Sequence, residues 1–363
     1  MTPVSTESSL RRNRPGRSPR ARPAATPPER RTTPAEQPRD GRAAYPRHGG
    51  LQNRVVLARL GPVTLVNFGL LAGIGGALAA WVALARQEQA GMRPESYAAL
   101  LFGVLPLLAV IGSRAFSLAL DWRGFVASPL AATFKPGFAF QGGLAGAALG
   151  VIGVATYAHV DLFMLADAMA LGFPLGHAVG RVACHTYGCC HGRPTRSRLA
   201  IRYTHPDSKA VWHSRLRGIA LHPTQLYSAL GNLLLFAILA TFAAGAVRAG
   251  QIAAAYLVIG SVGRFLVEFV RGEPTARFGR LTPFQWVSIG LLACGLGLLR
   301  LAAANPLHER FADASSLLAS LGHTGFSVYP LWVFVVIFVC FGVQGREVGS
   351  FGTRTSRPPR VPQ

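Results

Sequence analysis

Long, uninterrupted apolar runs restrict the fold of this sequence more than any other feature. A helix needs about 20 consecutive apolar residues to cross the hydrocarbon core of a bilayer, and eight runs approach that length. They lie near residues 61–85, 98–120, 138–157, 161–183, 224–247, 251–271, 284–303 and 328–344. Apolar and polar residues do not alternate within them, which disfavours membrane strands. The sequence therefore predicts an all-α integral membrane protein, a polytopic helical bundle of seven to eight transmembrane helices.

Charged residues lie mostly outside these runs. They make up 14% of the chain, against about 25% in a soluble domain. The formal net charge is +22. We predict four regions: a basic, Arg/Pro-rich disordered tail (1–55), a membrane domain (56–304), a polar connection with a possible extra span (305–345) and a basic C-terminal tail (346–363).

The N-terminal tail has RRNRPGRSPRARP as its densest basic part and almost no aliphatic residues, so it cannot bury a core. Clustered arginines beside a bilayer attract anionic headgroups. That densest basic part contains none of the aromatic residues that interleave basic ones in many nucleic-acid-binding segments. We therefore expect membrane lipids, and no nucleic acid, as its partner.

One long polar loop, about 183–221, separates the fourth and fifth runs. It begins GRVACHTYGCCHGRPT and ends in LHPTQLY, which leads into the next run. Long polar loops between packed helices often carry function. A functional site is therefore expected where this loop meets the bundle.

Charged residues inside the apolar runs mark the same site. In GRFLVEFVRGE, Arg264, Glu268 and Arg271 fall within about 60° of one another on a helix. Inserting one ionised residue at mid-bilayer costs about 2.5–3.5 kcal/mol of free energy on insertion scales. The three side chains must therefore be paired with opposite charges, face a water-filled cavity or lie near the membrane interface. In one interpretation Arg264 and Glu268 form an internal salt bridge and Arg271 reaches to the membrane interface. In the other, Glu268 holds Arg264 in place while one or both arginines bind an anion. Arginine suits a phosphate because its planar fork donates two hydrogen bonds at once.

A second membrane-embedded arginine, Arg181, ends the fourth run. Gly176 and Gly180 precede it and allow another backbone or a lipid to approach closely. Arginines on two different helices with one obvious carboxylate leave net positive charge in an apolar cavity. That combination favours an anionic phospholipid headgroup. In QGGLAGAALG, Gly142 and Gly143 are equally compatible with close approach to a ligand and with helix packing alone.

The segment CHTYGCCH concentrates soft metal ligands: Cys184, His185, Cys189, Cys190 and His191. Three interpretations stay open: plain packing thiols in a tight glycine turn, a disulfide from Cys184 to Cys189 or Cys190, and a zinc or copper site. The spacing is not a usual metal pairing, and adjacent cysteines do not easily bind one ion. We therefore expect no metal and no cofactor.

Seven segments, in order along roughly residues 60–300, resemble those of the prolipoprotein diacylglyceryl transferase family. They are GPVTLVNFGLLAG, GSRAFSLALDW, FAFQGGLAG, GRVACHTYGCCHGRPT, LHPTQLYSAL, GRFLVEFVRGE and LTPFQWVSIG. The resemblance implies transfer of a diacylglyceryl group from phosphatidylglycerol to the lipobox cysteine thiol of a prolipoprotein, releasing glycerol phosphate. It implies phosphatidylglycerol and the prolipoprotein signal-peptide segment as partners.

The resemblance also assigns roles to matching positions. Arg181 and Arg264 match two essential arginines and Glu268 a supporting acid, and these three are the predicted catalytic residues. The predicted substrate-binding residues are Gln141, Gly142, Gly143, Gly192, Arg193, His222, Gln225, Tyr227 and Arg271.

The chain departs from the family pattern at five positions. Cys184 and Cys189 replace an asparagine and a glutamate, and Ser228 replaces the final glutamate of the LHPTQLYSAL segment. Gln141 replaces a histidine, and glutamine can hydrogen-bond but cannot take a proton. Phe68 replaces a tyrosine. A base for the acceptor thiol must then come from elsewhere, with His222, His185 and His191 as candidates. Two alternatives remain: a non-catalytic paralogue that binds anionic phospholipid, and a thiol- or metal-based redox membrane protein.

Two arguments about orientation conflict. Lysine and arginine in short loops favour the cytoplasmic side, which predicts the N-terminus and the 183–221 loop inside. The family resemblance implies that both lie outside, in a multi-pass protein of the bacterial cell membrane, with the lipid site open to the outer leaflet.

Overall fold

The computed structural model describes residues 50–134, 140–245, 247–272, 278–305, 328–346, 348–351 and 354–355. Its helices are α1 Asn67–Gln89, α2 Ala98–Leu120, α3 Trp122–Ala127, α4 Pro129–Phe134, α5 Phe140–Tyr157, α6 Leu162–Tyr187, α7 Lys209–Trp212, α8 Thr224–Ala243, α9 Gln251–Glu268, α10 Pro283–Ala302 and α11 Val328–Gly342. By length and composition, α1, α2, α6, α8, α9 and α10 can each cross a membrane. Helices α5 and α11 are apolar but shorter. The predicted polytopic helical membrane fold is thereby confirmed.

The predicted domain boundaries remain predictions. Residues 1–49 and 306–327, and most of the C-terminal tail, lie outside the described residues. The possible eighth span corresponds to α11, which is 15 residues long.

The short strands are β1 Val56–Leu60, β2 Val63–Val66, β3 Ile201–Arg202, β4 Ala220–Leu221, β5 Val343–Gln344, β6 Ser350–Phe351 and β7 Arg354–Thr355. They pair antiparallel as β1-β2-β5, β3-β4 and β6-β7. Single 3-10 turns cover Leu51–Asn53 and Pro94–Ser96.

Several predicted span boundaries differ from the helix ends: the first span ends at Gln89 and not near residue 85, and the fifth at Ala243 and not near residue 247. The first span does not begin at residue 61: Gly61, with φ +56°, turns the β1-β2 hairpin, and the helix starts only at Asn67. The fourth span does not end at residue 183, because α6 continues to Tyr187 and stops at Gly188 in the left-handed conformation. Glycine adopts that conformation without the steric penalty of a Cβ, which makes it a common helix terminator.

Helix α6 lies against α1 through glycine contacts. A Cβ added at Gly75 would lie 2.5 Å from the carbonyl oxygen of Gly176, and one added at Gly172 would lie 2.2 Å from that of Ala79. On its other side α1 meets α11, where a Cβ at Gly69 would lie 2.0 Å from the Cα of Gly342. Small residues permit such close backbone approach in membranes, where packing replaces the hydrophobic effect as the driving force.

A buried carboxylate ties α6 to α9 at the far end of the bundle. Asp167, 5% exposed, accepts hydrogen bonds from the backbone N–H groups of Gly250 and Ala253, both at 2.8 Å. Arg86 of α1 is buried and exerts an electrostatic attraction on the same carboxylate. The contact satisfies two of the orphan donors at the start of α9.

The polar loop and the N-terminal hairpin lie together at the opposite end. The Asn53 side chain accepts from the backbone N–H groups of Thr204, at 2.9 Å, and His205, at 3.1 Å. Arg59 pairs with Asp207 at 2.7 Å. These contacts place the N-terminal edge of the membrane domain and the 183–221 loop on one side of the bundle.

Candidate active site

The predicted ion pair inside α9 is present. Arg264 Nη1 donates to Glu268 Oε2 at 2.6 Å, and Arg271 Nε lies 3.7 Å from the same oxygen. Glu268 is only 8% exposed. The residues sit one helical turn apart because α9 keeps its geometry to Glu268 and then unwinds. One buried carboxylate therefore holds two guanidiniums.

The start of α10 supports this group. Thr282 Oγ1 donates to Glu268 Oε1 at 3.2 Å, while Thr282 and Gln285 form a reciprocal capping box at the helix N-terminus. The guanidinium carbons of Arg264 and Arg271 lie 5.1 and 5.8 Å from the centroid of the Phe284 ring. Such cation–π contacts restrict the orientation of both arginines.

Arg181 joins the cluster from α6, held by a histidine that the sequence reasoning missed. Arg181 Nε donates to His177 Nε2 at 3.0 Å, one turn earlier in the helix. That bond makes His177 Nε2 an acceptor and so fixes the neutral tautomer protonated at Nδ1. Arg181 lies within electrostatic range of both Arg264 and Arg271. The i,i+4 spacing of His177 and Arg181 was the signal available in the sequence.

The GRPT segment of the polar loop crosses between two other segments. Gly192 N–H donates to the His222 carbonyl, and Arg193 N–H to the Val270 carbonyl, both at 3.1 Å. On the other side, Gly272 N–H donates to the His191 carbonyl at 3.0 Å. This backbone stitch, residues 191–195 between 220–222 and 270–272, fixes the polar loop to the end of α9.

Glycines are required at the stitch. A Cβ at Gly192 would lie 2.5 Å from the His222 Cβ, and one at Gly272 would lie 2.4 Å from the Gly192 carbonyl oxygen. The Arg193 side chain donates to the Phe269 carbonyl. Gly192 and Arg193, both predicted to bind substrate, therefore make backbone contacts beside Arg271.

The HPTQLY segment anchors the loop to the start of α8. Thr224 Oγ1 donates to the Cys190 carbonyl and Gln225 Nε2 to the Cys189 carbonyl, both at 2.8 Å. Gln225 also donates to the Tyr203 hydroxyl at 3.1 Å, and burial raises the pKa of that hydroxyl above its ordinary value. Gln225 thus acts on the loop backbone in this structure.

Three histidines were candidates for the base. Both ring nitrogens of His191 have partners, Ser214 Oγ at 2.9 Å and the Gly192 carbonyl at 3.1 Å, and the residue is 2% exposed. His185 is buried against the Tyr203 ring. His222 is half-buried, with Nδ1 3.4 Å from the Tyr227 hydroxyl. Of the three, His222 has the ring most open to a substrate.

The side chains of the three loop cysteines come together in the structure. The Sγ atoms of Cys184, Cys189 and Cys190 all lie within 4.8 Å of one another. Hydrogen bonds from the Cys184 and Cys189 thiols, with the attraction of Arg181 and Arg271, hold the pKa of Cys190 well below its ordinary value. The thiol cluster therefore borders the arginine cluster.

The glycines of α5 pack on α2. The atoms nearest to a Cβ built on Gly142 are the Gly112 carbonyl oxygen, at 2.2 Å, and the Phe116 Cβ. Those nearest to one on Gly143 belong to Ala109 and Ser113. Gln141 lies in the first turn of α5, and only its backbone is described. The contacts of both glycines are thus those of helix packing.

These features define a class. Arg181, Arg264 and Arg271 form a half-buried cationic site, with the buried Glu268 as carboxylate partner, at one end of a polytopic helical membrane bundle. Such a site suits an anionic group presented from the lipid. The family model for prolipoprotein diacylglyceryl transferases matches residues 55–301. The chain belongs to the prolipoprotein diacylglyceryl transferase family.

Curated relatives cover the same region. The chain is 28% identical over 246 residues to phosphatidylglycerol–prolipoprotein diacylglyceryl transferase 2 of Clostridium perfringens, covering 67% of this chain and 93% of the relative. It is 29% identical over 245 residues to the corresponding enzyme of Geobacillus kaustophilus, covering 67% and 90%. For the Bacillus cytotoxicus enzyme, identity is 29% over 243 residues, covering 66% and 89%.

Proposed function

We propose that this protein transfers a diacylglyceryl group from phosphatidylglycerol to the lipobox cysteine of prolipoproteins in a bacterial cell membrane, releasing glycerol phosphate. The arginine cluster of Arg181, Arg264 and Arg271 carries the proposal. Family membership and the names of the relatives support the same reaction.

Charge explains why the cluster suits this lipid. Three guanidiniums and the Glu268 carboxylate leave a net charge of 3 − 1 = +2 among these four groups. The phosphodiester of phosphatidylglycerol carries one negative charge and keeps its acyl chains in the bilayer. Planar guanidiniums bind phosphate oxygens in pairs, which fixes orientation as well as supplying attraction.

The same charges favour the reaction. The acceptor thiolate attacks the glyceryl carbon bonded to the phosphate oxygen. A C–S bond forms, the C–O bond breaks, and its electron pair leaves on glycerol phosphate, while the thiol proton passes to a base. Negative charge grows on the leaving phosphate, so Arg181 and Arg264 bind the transition state more tightly than the ground state. Preorganised donors of this kind are each worth about 10²–10³ in rate.

Positioning residues keep these charges in place. His177 directs Arg181 through a 3.0 Å hydrogen bond, and Glu268 directs Arg264 through a 2.6 Å ion pair. We assign the base for the acceptor thiol to His222. Its neighbour Gly192 pairs with Arg271, which connects the His222 backbone to the arginine cluster.

The test is transfer of labelled diacylglyceryl from phosphatidylglycerol vesicles to a lipobox peptide by the purified full-length protein. We expect a labelled thioether and released glycerol phosphate, and growth when the gene is expressed in a strain depleted of its own enzyme. Arg300→Ala is the matched control because that arginine is exposed at the end of α10.

A second candidate, a non-catalytic phospholipid-binding paralogue, is favoured by Gln141 and Phe68. Against the paralogue, the Tyr187 ring lies 5.5 Å from the Phe68 ring, so α6 places a phenol beside the position where α1 lacks one. Binding of phosphatidylglycerol with no label transferred at any pH would select the paralogue.

A further inference from the structure

We propose that Cys184, Cys189 and Cys190 form a three-coordinate thiolate site for a thiophilic monovalent metal ion, Cu(I). The site lies beside the arginine cluster; none of its three ligands is assigned to lipid transfer, and Arg181 and Arg271 border both sites. It stands independently of the transferase function.

The geometry already meets the needs of a metal. The three Sγ atoms lie within 4.8 Å of one another. Metal–thiolate bonds of about 2.3 Å place ligand sulfurs about 4 Å apart. Side-chain shifts of less than about 1 Å would therefore bring all three onto one ion.

Backbone conformation answers the objection that adjacent cysteines do not easily share an ion. Cys190 has φ +55°, in the left-handed region, and is one of three non-glycine residues with positive φ among the described residues. In an extended segment, successive side chains point to opposite faces. With the left-handed turn at Cys190, its sulfur lies within 4.8 Å of that of Cys189. Holding such a residue there costs on the order of 1 kcal/mol.

Two hydrogen bonds hold that turn in place. Gln225 Nε2 donates to the Cys189 carbonyl and Thr224 Oγ1 to the Cys190 carbonyl, both at 2.8 Å. The α8 N-terminus thus preorganises both ligands, and Cys184 is fixed by the last turn of α6. Protein metal sites typically contain hydrogen-bonding groups that orient the residues which bind the metal.

Ligand number and charge select the ion. Among the described residues, the cluster holds three sulfurs and no imidazole or carboxylate, whereas structural zinc takes four ligands. Soft thiolates favour Cu(I). Three thiolates and one Cu(I) carry 1 − 3 = −2, and the guanidiniums of Arg181 and Arg271 lie within electrostatic range of Cys190. A buried site is stable only when its charge is compensated in this way.

The experiment is an anaerobic titration of reduced, full-length, detergent-purified protein with Cu(I), buffered by a competing chelator. We expect one copper per chain and X-ray absorption with three sulfur neighbours at about 2.3 Å. Cys294→Ser, which removes an exposed thiol of α10, should bind as wild type. The variants Cys184→Ser and Cys190→Ser should no longer retain copper in the presence of the competing chelator. Thr224→Val should weaken copper binding by about 10–100-fold, as for other second-layer partners.

Maleimide labelling of the wild type keeps the test independent of variant folding. With a membrane-permeant maleimide, Cu(I) should protect three thiols from labelling and leave the labelling of Cys294, on the membrane-spanning helix α10, unchanged. The inference is overturned if no copper resists the competitor, if the serine variants retain it, or if Zn(II) binds as tightly as Cu(I). It is also overturned if the protein isolated from cells without added reductant carries a disulfide within the cluster.

Discussion

Arg264 and Glu268 lie one turn apart on α9, with Nη1 and Oε2 separated by 2.6 Å in a site where the carboxylate is almost fully buried. Removing one partner of such a pair leaves an uncompensated buried charge. The carboxylate also accepts from Thr282 of α10, so the ion pair links two helices as well as orienting an arginine.

Arg264→Ala should therefore abolish transfer, with a loss of at least about 10²-fold, the scale of one lost charge-stabilising donor. Arg264→Lys should restore little, because a lysine cannot donate two parallel hydrogen bonds. The measurement is the rate of label transfer and phosphatidylglycerol binding, with Arg300→Ala as control. Equal affinity for phosphatidylglycerol in the wild type and Arg264→Ala would contradict the proposal that Arg264 binds the lipid phosphate.

Glu268→Gln should have a smaller effect on lipid binding than Arg264→Ala. The amide keeps an acceptor for Thr282 but no longer pairs ionically with Arg264 and Arg271, so the arginines stay charged and lose orientation. We expect a fall in kcat that exceeds the rise in KM. A loss of binding as complete as that of Arg264→Ala would contradict this.

His177→Ala tests whether His177 positions Arg181 rather than taking a proton. Its Nε2 accepts from Arg181 Nε. We expect a slower rate by the same factor at pH 7 and pH 9, because the orientation of a permanently charged group does not depend on pH. His177→Gln, which can restore an acceptor, should recover part of the rate. A defect confined to pH 7 would instead identify His177 as the base.

The backbone stitch predicts a sharp difference between two glycines. Gly272→Ala would place a methyl 2.4 Å from the Gly192 carbonyl oxygen, whereas Gly231→Ala in α8 meets nothing within 4 Å. Overpacking of this kind costs about 1–3 kcal/mol. We expect Gly272→Ala to lower the thermal midpoint in detergent and the transfer rate, and Gly231→Ala to leave both unchanged. Equal midpoints for the two variants would show that the stitch adjusts without strain.

Local periodicity made part of this site predictable. The spacing of Arg264, Glu268 and Arg271 predicted one helix face, and the structure has the ion pair. Contacts between segments distant in sequence were not predictable, because no local pattern encodes the pairing of residues 191–195 with 270–272. The convergence of the Cys189 and Cys190 sulfurs was also missed, since it depends on one left-handed residue.

The last prediction concerns thiol activation and the departure from the family pattern that the sequence analysis predicts at Gln141. If His222 supplies the base, His222→Ala should lower the transfer rate at pH 7 by about 10²–10⁴, the usual worth of a positioned base. The defect should shrink toward pH 9, because a free thiol with a pKa near 8.5 ionises there without help. Introducing Gln141→His into the His222→Ala protein should restore activity more at pH 7 than at pH 9. Tyr227→Phe serves as a milder control, since it removes only the hydroxyl 3.4 Å from His222 Nδ1. If His222→Ala is as fast as wild type at pH 7, the proton leaves by another route and the assignment of His222 fails.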